Sequence, residues 1–211
     1  MRDGFDWGKV APSEHIAHFY ANDEELLDAL SAYVSEGLRQ GDSAIVIATP
    51  EHLRALRYRM EGLDADLIRA MFEDRYITLD AHVALTSFMV NGVPDERLFS
   101  EMARSLLRRA AALDRRVRAF GEMVALLWAA GNREATVRLE QLWNQFCRTH
   151  AFSLLCGYPQ SAFPSSADST TRLSFSAIRG AHTLVVEPPA VPKTDSPSPA
   201  SPKLAANPVQ A

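Results

Sequence analysis

The sequence predicts an α/β fold, a three-layer sandwich with a mostly parallel central sheet, and three features of the chain lead to that expectation. Six short apolar, mostly β-favouring runs recur: His15 to Tyr20, Ser43 to Ala48, Tyr76 to Leu79, Val117 to Phe120, Phe152 to Gly157 and His182 to Val186. Helical patterns with their own start and stop signals separate them. Strands alternating with helices of this length imply βαβ crossovers and a sheet covered on both faces.

Each helix carries its own local signals. Asn22 to Glu25 is an Asn-x-x-Glu capping signal, opening a helix whose apolar stripe is Leu26, Leu27, Leu30, Tyr33, Val34 and Leu38, with Gly41 as its stop. Thr49-Pro50 is an N-cap with proline at the first helical position, leading into Leu53, Leu56 and Met60 and ending at Gly62. Asp80 caps a helix expected to carry Leu85, Phe88 and Met89. Asp95 caps another, with Leu98, Met102, Leu106, Ala110 and Leu113. Met123 to Ala130 forms a further helix, the Gly131-Asn132 pair breaks it, and a last one bears Leu139, Leu142, Trp143 and Phe146. No internal repeat of fixed period is seen.

Size and composition bound the function classes. A chain of 211 residues holds one domain of ordinary size plus a tail, and a body of roughly 185 residues can bury a substantial core without staples, with the domain itself expected over residues 14–187. Residues 1–13 form an N-terminal extension. From Pro188 onward seven prolines with serines and alanines fill 24 residues, a composition that cannot bury enough apolar area to fold, so a disordered tail is expected over 188–211. The two cysteines, Cys147 and Cys156, lie in apolar periodic segments and read as reduced buried thiols, in keeping with a cytoplasmic protein. The first ten residues have no apolar signal-peptide core, and Ala119 to Ala130 is too short and too interrupted by Glu122 to span a bilayer. No membrane association is expected. Net charge is only −4, and arginines outnumber lysines nineteen to three. The dense basic region of Arg104, Arg108, Arg109, Arg115, Arg116 and Arg118 reads as a solvated surface, with no nucleic-acid partner expected.

Parallel α/β sheets bind ligands beyond the carboxyl ends of their strands, which turns the strand list into a site list. The first run ends at Tyr20 and Asn22, with His18 inside it; the second ends at Thr49, with His52 one turn into the helix; the third ends at Asp80; the fourth at Gly121 and Glu122; the fifth at Gly157 and Tyr158. His18, Tyr20, Asn22, Thr49, His52, Asp80, Glu122 and Tyr158 are therefore the candidate ligand-binding residues. Asn22, Thr49 and Asp80 read equally well as helix caps alone. Glu122, a carboxylate in the apolar segment Ala-Phe-Gly-Glu-Met-Val, is either a first-turn glutamate facing the helix dipole or a crevice carboxylate that binds a ligand donor.

Nucleotide chemistry meets an obstacle. Lys9, Lys193 and Lys203 are the only lysines, and none lies between a strand and a helix, where a phosphate loop needs its ammonium. Gly4 to Lys9 has the wrong glycine spacing and follows no strand. The Gly-x-Ser-x-Gly, His-Glu-x-x-His and Cys-x-x-Cys patterns are absent from the sequence, so no catalytic residue, cofactor or metal is expected. His15 and His18 point to opposite faces of a regular strand and cannot chelate one ion together.

Five segments in order resemble one family. His15-Ile-Ala-His-Phe-Tyr20, Tyr33 to Thr49, Phe120-Gly-Glu-Met-Val124, Leu139-Glu-Gln-Leu-Trp-Asn144 and Leu154-Leu-Cys-Gly-Tyr-Pro159 are similar to the DcmR-type sensory domain, MEDS, over roughly residues 14–187. The resemblance implies a RecA/KaiC-like P-loop-fold variant that has lost its phosphate loop. It also implies a sensor of small molecules, hydrocarbon derivatives among them, working with a histidine kinase or transcription regulator. His18, Tyr20, Gly37, Gly41, Gly121, Glu122, Cys156 and Tyr158 match the family's pattern. The expected function is a non-catalytic cytoplasmic sensor that binds a small ligand and signals through a partner or a homo-oligomer. A ligand-independent interaction module, and a divergent nucleotide-binding enzyme using Glu122 as general base, are the alternatives.

Overall fold

The computed structural model describes residues 5–60, 64–163 and 168–187, so the expected tail over 188–211 and the helix stop at Gly62 lie outside the described residues. Every β-favouring run forms a strand. In chain order the strands are β1 (His15–Tyr20), β2 (Ser43–Ala48), β3 (Tyr76–Asp80), β4 (Met89–Val90), β5 (Val93–Pro94), β6 (Val117–Gly121), β7 (Phe152–Pro159) and β8 (Leu184–Val186). Six of them make one sheet in the order β3-β2-β6-β7-β1-β8. Each pairing in it is parallel. All residues of β1 and β2 are buried, as covering both faces of a parallel sheet requires.

The helices are α1 (Asp23–Arg39), α2 (Pro50–Met60), α3 (Asp64–Phe72), α4 (Ala81–Thr86), α5 (Glu96–Ala110), α6 (Met123–Ala129), α7 (Arg133–Thr149) and α8 (Ser169–Ala181). Helices α1 to α3 pack on one face of the sheet, against Ile16, Tyr20, Ala44, Val46 and Phe120. Helices α4 to α8 pack on the other, against Ala17, Phe19, Ile45, Ile47, Ala119 and Leu154. Alternation along each strand divides the core in two and gives the three layers. The six stripe residues of α1 are all buried. Its cap works as the sequence implies: Asn22 Oδ1 accepts from Glu25 N at 3.0 Å, and Glu25 Oε2 accepts from Ala21 N at 2.9 Å. Gly41 closes the turn after α1 with φ +85°, a conformation that other residues rarely adopt.

Three expectations change. The helix after Asp80 stops at Thr86; Phe88 lies in the turn that follows and Met89 opens a small antiparallel hairpin, β4–β5, turned by Asn91-Gly92 with φ of 50° and 80°. Both positive φ values suit the tight Asn-Gly hairpin turn, and Phe88 is buried because it meets the ring of Phe99 at 5.6 Å, not because a helix carries it. Helices α3 and α8 form where no element was expected. Arg118 is no surface residue: it is 2 % exposed, its Nε donates to Asp42 Oδ2 at 2.9 Å, and its Nη1 donates to Trp7 O at 2.7 Å. Its guanidinium ties the 3-10 turn Trp7–Lys9 to the sheet, and Gly37 leaves room for it. Of the other arginines in that region, Arg104, Arg108, Arg109 and Arg116 are exposed as expected, Arg109 pairing with Asp74, whereas Arg115 is half-buried and donates Nη1 to Glu73 O at 3.2 Å. Cys147 and Cys156 are free and buried. Among the described residues, no helix is long and apolar enough to cross a membrane.

Candidate functional site

The strand order creates a divergence at β2 and β6. These neighbours pair from Ser43↔Val117 to Ile47↔Gly121, yet β2 continues through α2 and α3 to the outer strand β3, while β6 continues through α6 and α7 to β7 on the other side. Such a reversal opens a crevice at the carboxyl ends. Thr49, His52 and Glu122 occupy this place. The Glu122 N–H donates to Ile47 O at 2.9 Å, which carries the β6 end across to β2. Its carboxylate then closes the junction: Oε2 accepts from Thr49 N at 2.8 Å and Oε1 accepts from His52 Nδ1 at 2.7 Å. Thr49 Oγ1 accepts from His52 N at 3.4 Å, the N-cap bond expected of it.

The site runs from solvent into the core. Asp23, in the first turn of α1, lies with Oδ1 3.6 Å from His52 Nε2; their side chains are 75 % and 14 % exposed, and that of Glu122 is 6 %. An imidazole between two carboxylates has its charged form favoured. The Glu122 hydrogen bond raises the His52 pKa most, burial opposes it, and the Glu122 and Asp23 charges add to the rise. Tyr20 stands near both carboxylates; burial first, then their charges, keep its hydroxyl protonated. His18 lies further along β1 with its ring 6.1 Å from that of Tyr20 and 5.4 Å from that of Trp7, and its Nδ1 is buried without a hydrogen-bond partner. Burial pushes its pKa down to about 4, so the ring is neutral.

Of the eight candidate residues, His18, Tyr20, Thr49, His52 and Glu122 share the α1–α3 side of the sheet or its β2/β6 end. Asn22 and Asp80 act as caps, Asp80 Oδ1 accepting from His82 N at 2.8 Å and Val83 N at 3.4 Å. Tyr158 goes elsewhere. It stacks on Phe19 at 5.4 Å on the opposite face and donates its hydroxyl to Glu140, because its place opposite Phe19 in the β1–β7 ladder points it toward α7. Asp23 was missed, although its position in the first turn after an Asn cap is legible. A second polar group, His15, Glu140, Cys156 and His182, was also missed, since each residue comes from a different element and no short spacing signals it.

Chemically, the crevice offers hydrogen-bond acceptors, with the His52 imidazole between Asp23 and Glu122 and with Glu24 and Glu25 in the same first turn as Asp23. Phosphate would meet carboxylates there. The arrangement suits a small molecule presenting donors. No curated protein matches the chain. The family model described as MEDS, the MEthanogen/methylotroph, DcmR Sensory domain, matches residues 14–171, which include the whole crevice from Tyr20 to Glu122. With its sheet, its crevice and that match over most of its length, the chain belongs to the MEDS sensory-domain family.

Proposed function

We propose that this chain is a non-catalytic cytoplasmic sensor, and that its ligand is a small organic molecule with a hydrogen-bond donor, such as a short alcohol or amine, held in the β2/β6 crevice. The observation that carries the reading is the Glu122 carboxylate: it is buried, it joins two diverging elements, and it holds His52, whose Nε2 lies 3.6 Å from the exposed Asp23 carboxylate. A donor group entering the cleft competes for the same oxygens, so binding changes the first turn of α2. A ligand moves such an equilibrium only by its differential affinity for the two arrangements.

The output would pass to a signalling partner such as a histidine kinase or a transcription regulator, or across a homo-oligomer. Helix α2, which begins in the crevice, exposes Tyr58, and the next helix exposes Ile68, Met71 and Phe72, large apolar side chains of the kind that docking faces use. The RecA/KaiC-like reading of the fold is supported by the parallel sheet and by the turn after β1: Ala21 and Asn22 lead directly into Asp23, Glu24 and Glu25, with neither glycine nor lysine to cradle phosphate.

The test is a thermal-shift screen of the full chain against short alcohols, amines, halogenated hydrocarbons, small acids and nucleotides. A compound at 100 times its dissociation constant adds roughly 2.7 kcal/mol. The expected result is stabilisation by a donor-bearing organic compound, with at least tenfold weaker affinity in Glu122→Gln. Stabilisation by nucleotides alone, or equal affinity in the variant, would overturn the assignment.

A further inference from the structure

We infer that His15, Glu140, Cys156 and His182 form a buried binding site for one zinc-class transition-metal ion, distinct from the β2/β6 crevice. The four residues come from the start of β1, the middle of α7, the middle of β7 and the end of α8, and each offers one ligand atom, all within 4.8 Å of one another. His15 Nε2 is 3.3 Å from Glu140 Oε2, His182 Nε2 is 3.4 Å from the same oxygen, and Cys156 Sγ is 3.4 Å from His15 Nε2 and 4.0 Å from Glu140 Oε2. Ligands around a tetrahedral zinc, bonded at about 2.0 Å for nitrogen or oxygen and about 2.3 Å for sulfur, stand roughly 3.3–3.8 Å apart. Three of the donor pairs, at 3.3–3.4 Å, already stand at that spacing, and an ion would draw the rest of the cluster, now within 4.8 Å, together.

Hydrogen bonding at the periphery turns both imidazoles inward. His15 Nδ1 donates to Ala181 O at 3.2 Å, and His182 Nδ1 donates to Ile178 O at 2.7 Å. Such backbone contacts fix the tautomer in metal-binding histidines and leave Nε2 as the ligand. His182 Nε2 is buried with no hydrogen-bond partner, on a side chain with 0 % exposure, and it faces this cluster. Without a cation, the single oxygen Glu140 Oε2 faces two ring nitrogens whose other nitrogens are already donors. With both rings donating through Nδ1, the two Nε2 atoms and this oxygen are acceptors facing one another, and the Cys156 thiol is the one donor left among the four side chains. A divalent ion answers every donor at once. With a thiolate and a carboxylate the site is neutral overall, and Tyr158 steadies the carboxylate by donating to its other oxygen.

Thiolate with imidazole in tetrahedral array selects zinc among common cellular ions, and four protein ligands make a closed, structural site. Its role follows from the ligands' positions. His182 lies between α8 and β8, where Thr183 N donates to His15 O at 2.7 Å and His15 N donates to Thr183 Oγ1 at 2.9 Å. The ion would fasten this last crossover to the sheet.

The test uses the full chain, stripped with a strong chelator and then titrated with Co²⁺ and Zn²⁺. Expected are one equivalent of bound metal, a cobalt spectrum with tetrahedral ligand-field bands and a thiolate charge-transfer band, displacement by zinc, and a higher melting temperature. Cys156→Ser should remove the charge-transfer band and Cys147→Ser should keep it. His182→Gln, at the edge of the fold, should weaken cobalt binding at least tenfold. A folded wild-type chain, checked by circular dichroism, that takes up no stoichiometric metal would overturn the proposal. So would a thiolate band that survives Cys156→Ser.

Discussion

His18 and His52 sit on the same side of the sheet and respond to pH in opposite directions. In His52 the partners Glu122 and Asp23 raise the folded pKa above the unfolded value of about 6.5. The stability this gives is complete below that value and is lost as pH rises through the folded pKa. The loss of melting temperature in His52→Gln should therefore be larger at pH 6 than at pH 9. In His18, burial lowers the pKa to about 4, so the unfolded chain takes up a proton that the folded chain refuses. Stability is then lost as pH falls from about 6.5 toward 4, by about 2 kcal/mol at pH 5. His18→Phe keeps the ring beside Trp7 and removes the buried orphan nitrogen, so it should unfold at a higher temperature than wild type at pH 5. Parallel melting curves for the two variants across this range check both signs; a variant that follows the wild-type profile contradicts its assignment.

Among the elements, α1 shows how local signals and long-range packing divide the work. Its cap, stripe and stop are legible because Asx capping, 3.6-residue periodicity and glycine turns are local chemistry. Gly37 inside it is not explained by any of them. A Cβ there would lie 2.6 Å from Arg118 Cδ, and the guanidinium cannot retreat because it is held by Asp42, Trp7 O and Gln40 Oε1. Gly37→Ala should cost about 1–3 kcal/mol of stability in denaturant titrations despite alanine's better helix propensity. Arg118→Met should cost more, about 3–5 kcal/mol, because it leaves the Asp42 charge buried with its closest partner gone. If both variants unfold like wild type, the buried arginine does not hold the N-terminal segment. Sequence reading placed Arg118 at the surface because neighbouring arginines are exposed and alternation in a strand of unknown facing does not distinguish in from out. The hairpin β4–β5 escaped for a related reason: its strands are two residues each, too short for a period, and Phe88 continues the helical spacing of Leu85 by coincidence.

At the scale of the molecule, the sheet was legible and its order was not. Each strand announces itself by β-branched and aromatic residues, but only the order β3-β2-β6-β7-β1-β8 shows that Thr49, His52 and Glu122 meet and that Tyr158 does not join them. The strand-end rule assigned residues to one end of the sheet without saying on which face each would lie. For the same reason the His15 cluster needs β1, α7, β7 and α8 assembled before it exists. The account rests on a ligand entering the β2/β6 crevice, and a competing place is available: a groove of about 410 Å³ lined by Glu101, Arg104, Leu107, Arg108 and His150. The most direct measurement is an amide-resolved nuclear magnetic resonance titration of the full chain with the strongest compound from the thermal screen. The account predicts the largest shifts at Thr49, His52, Gly121 and Glu122, with Asp23 following. Shifts centred on Arg104, Arg108 and His150, with the crevice amides still, would contradict it.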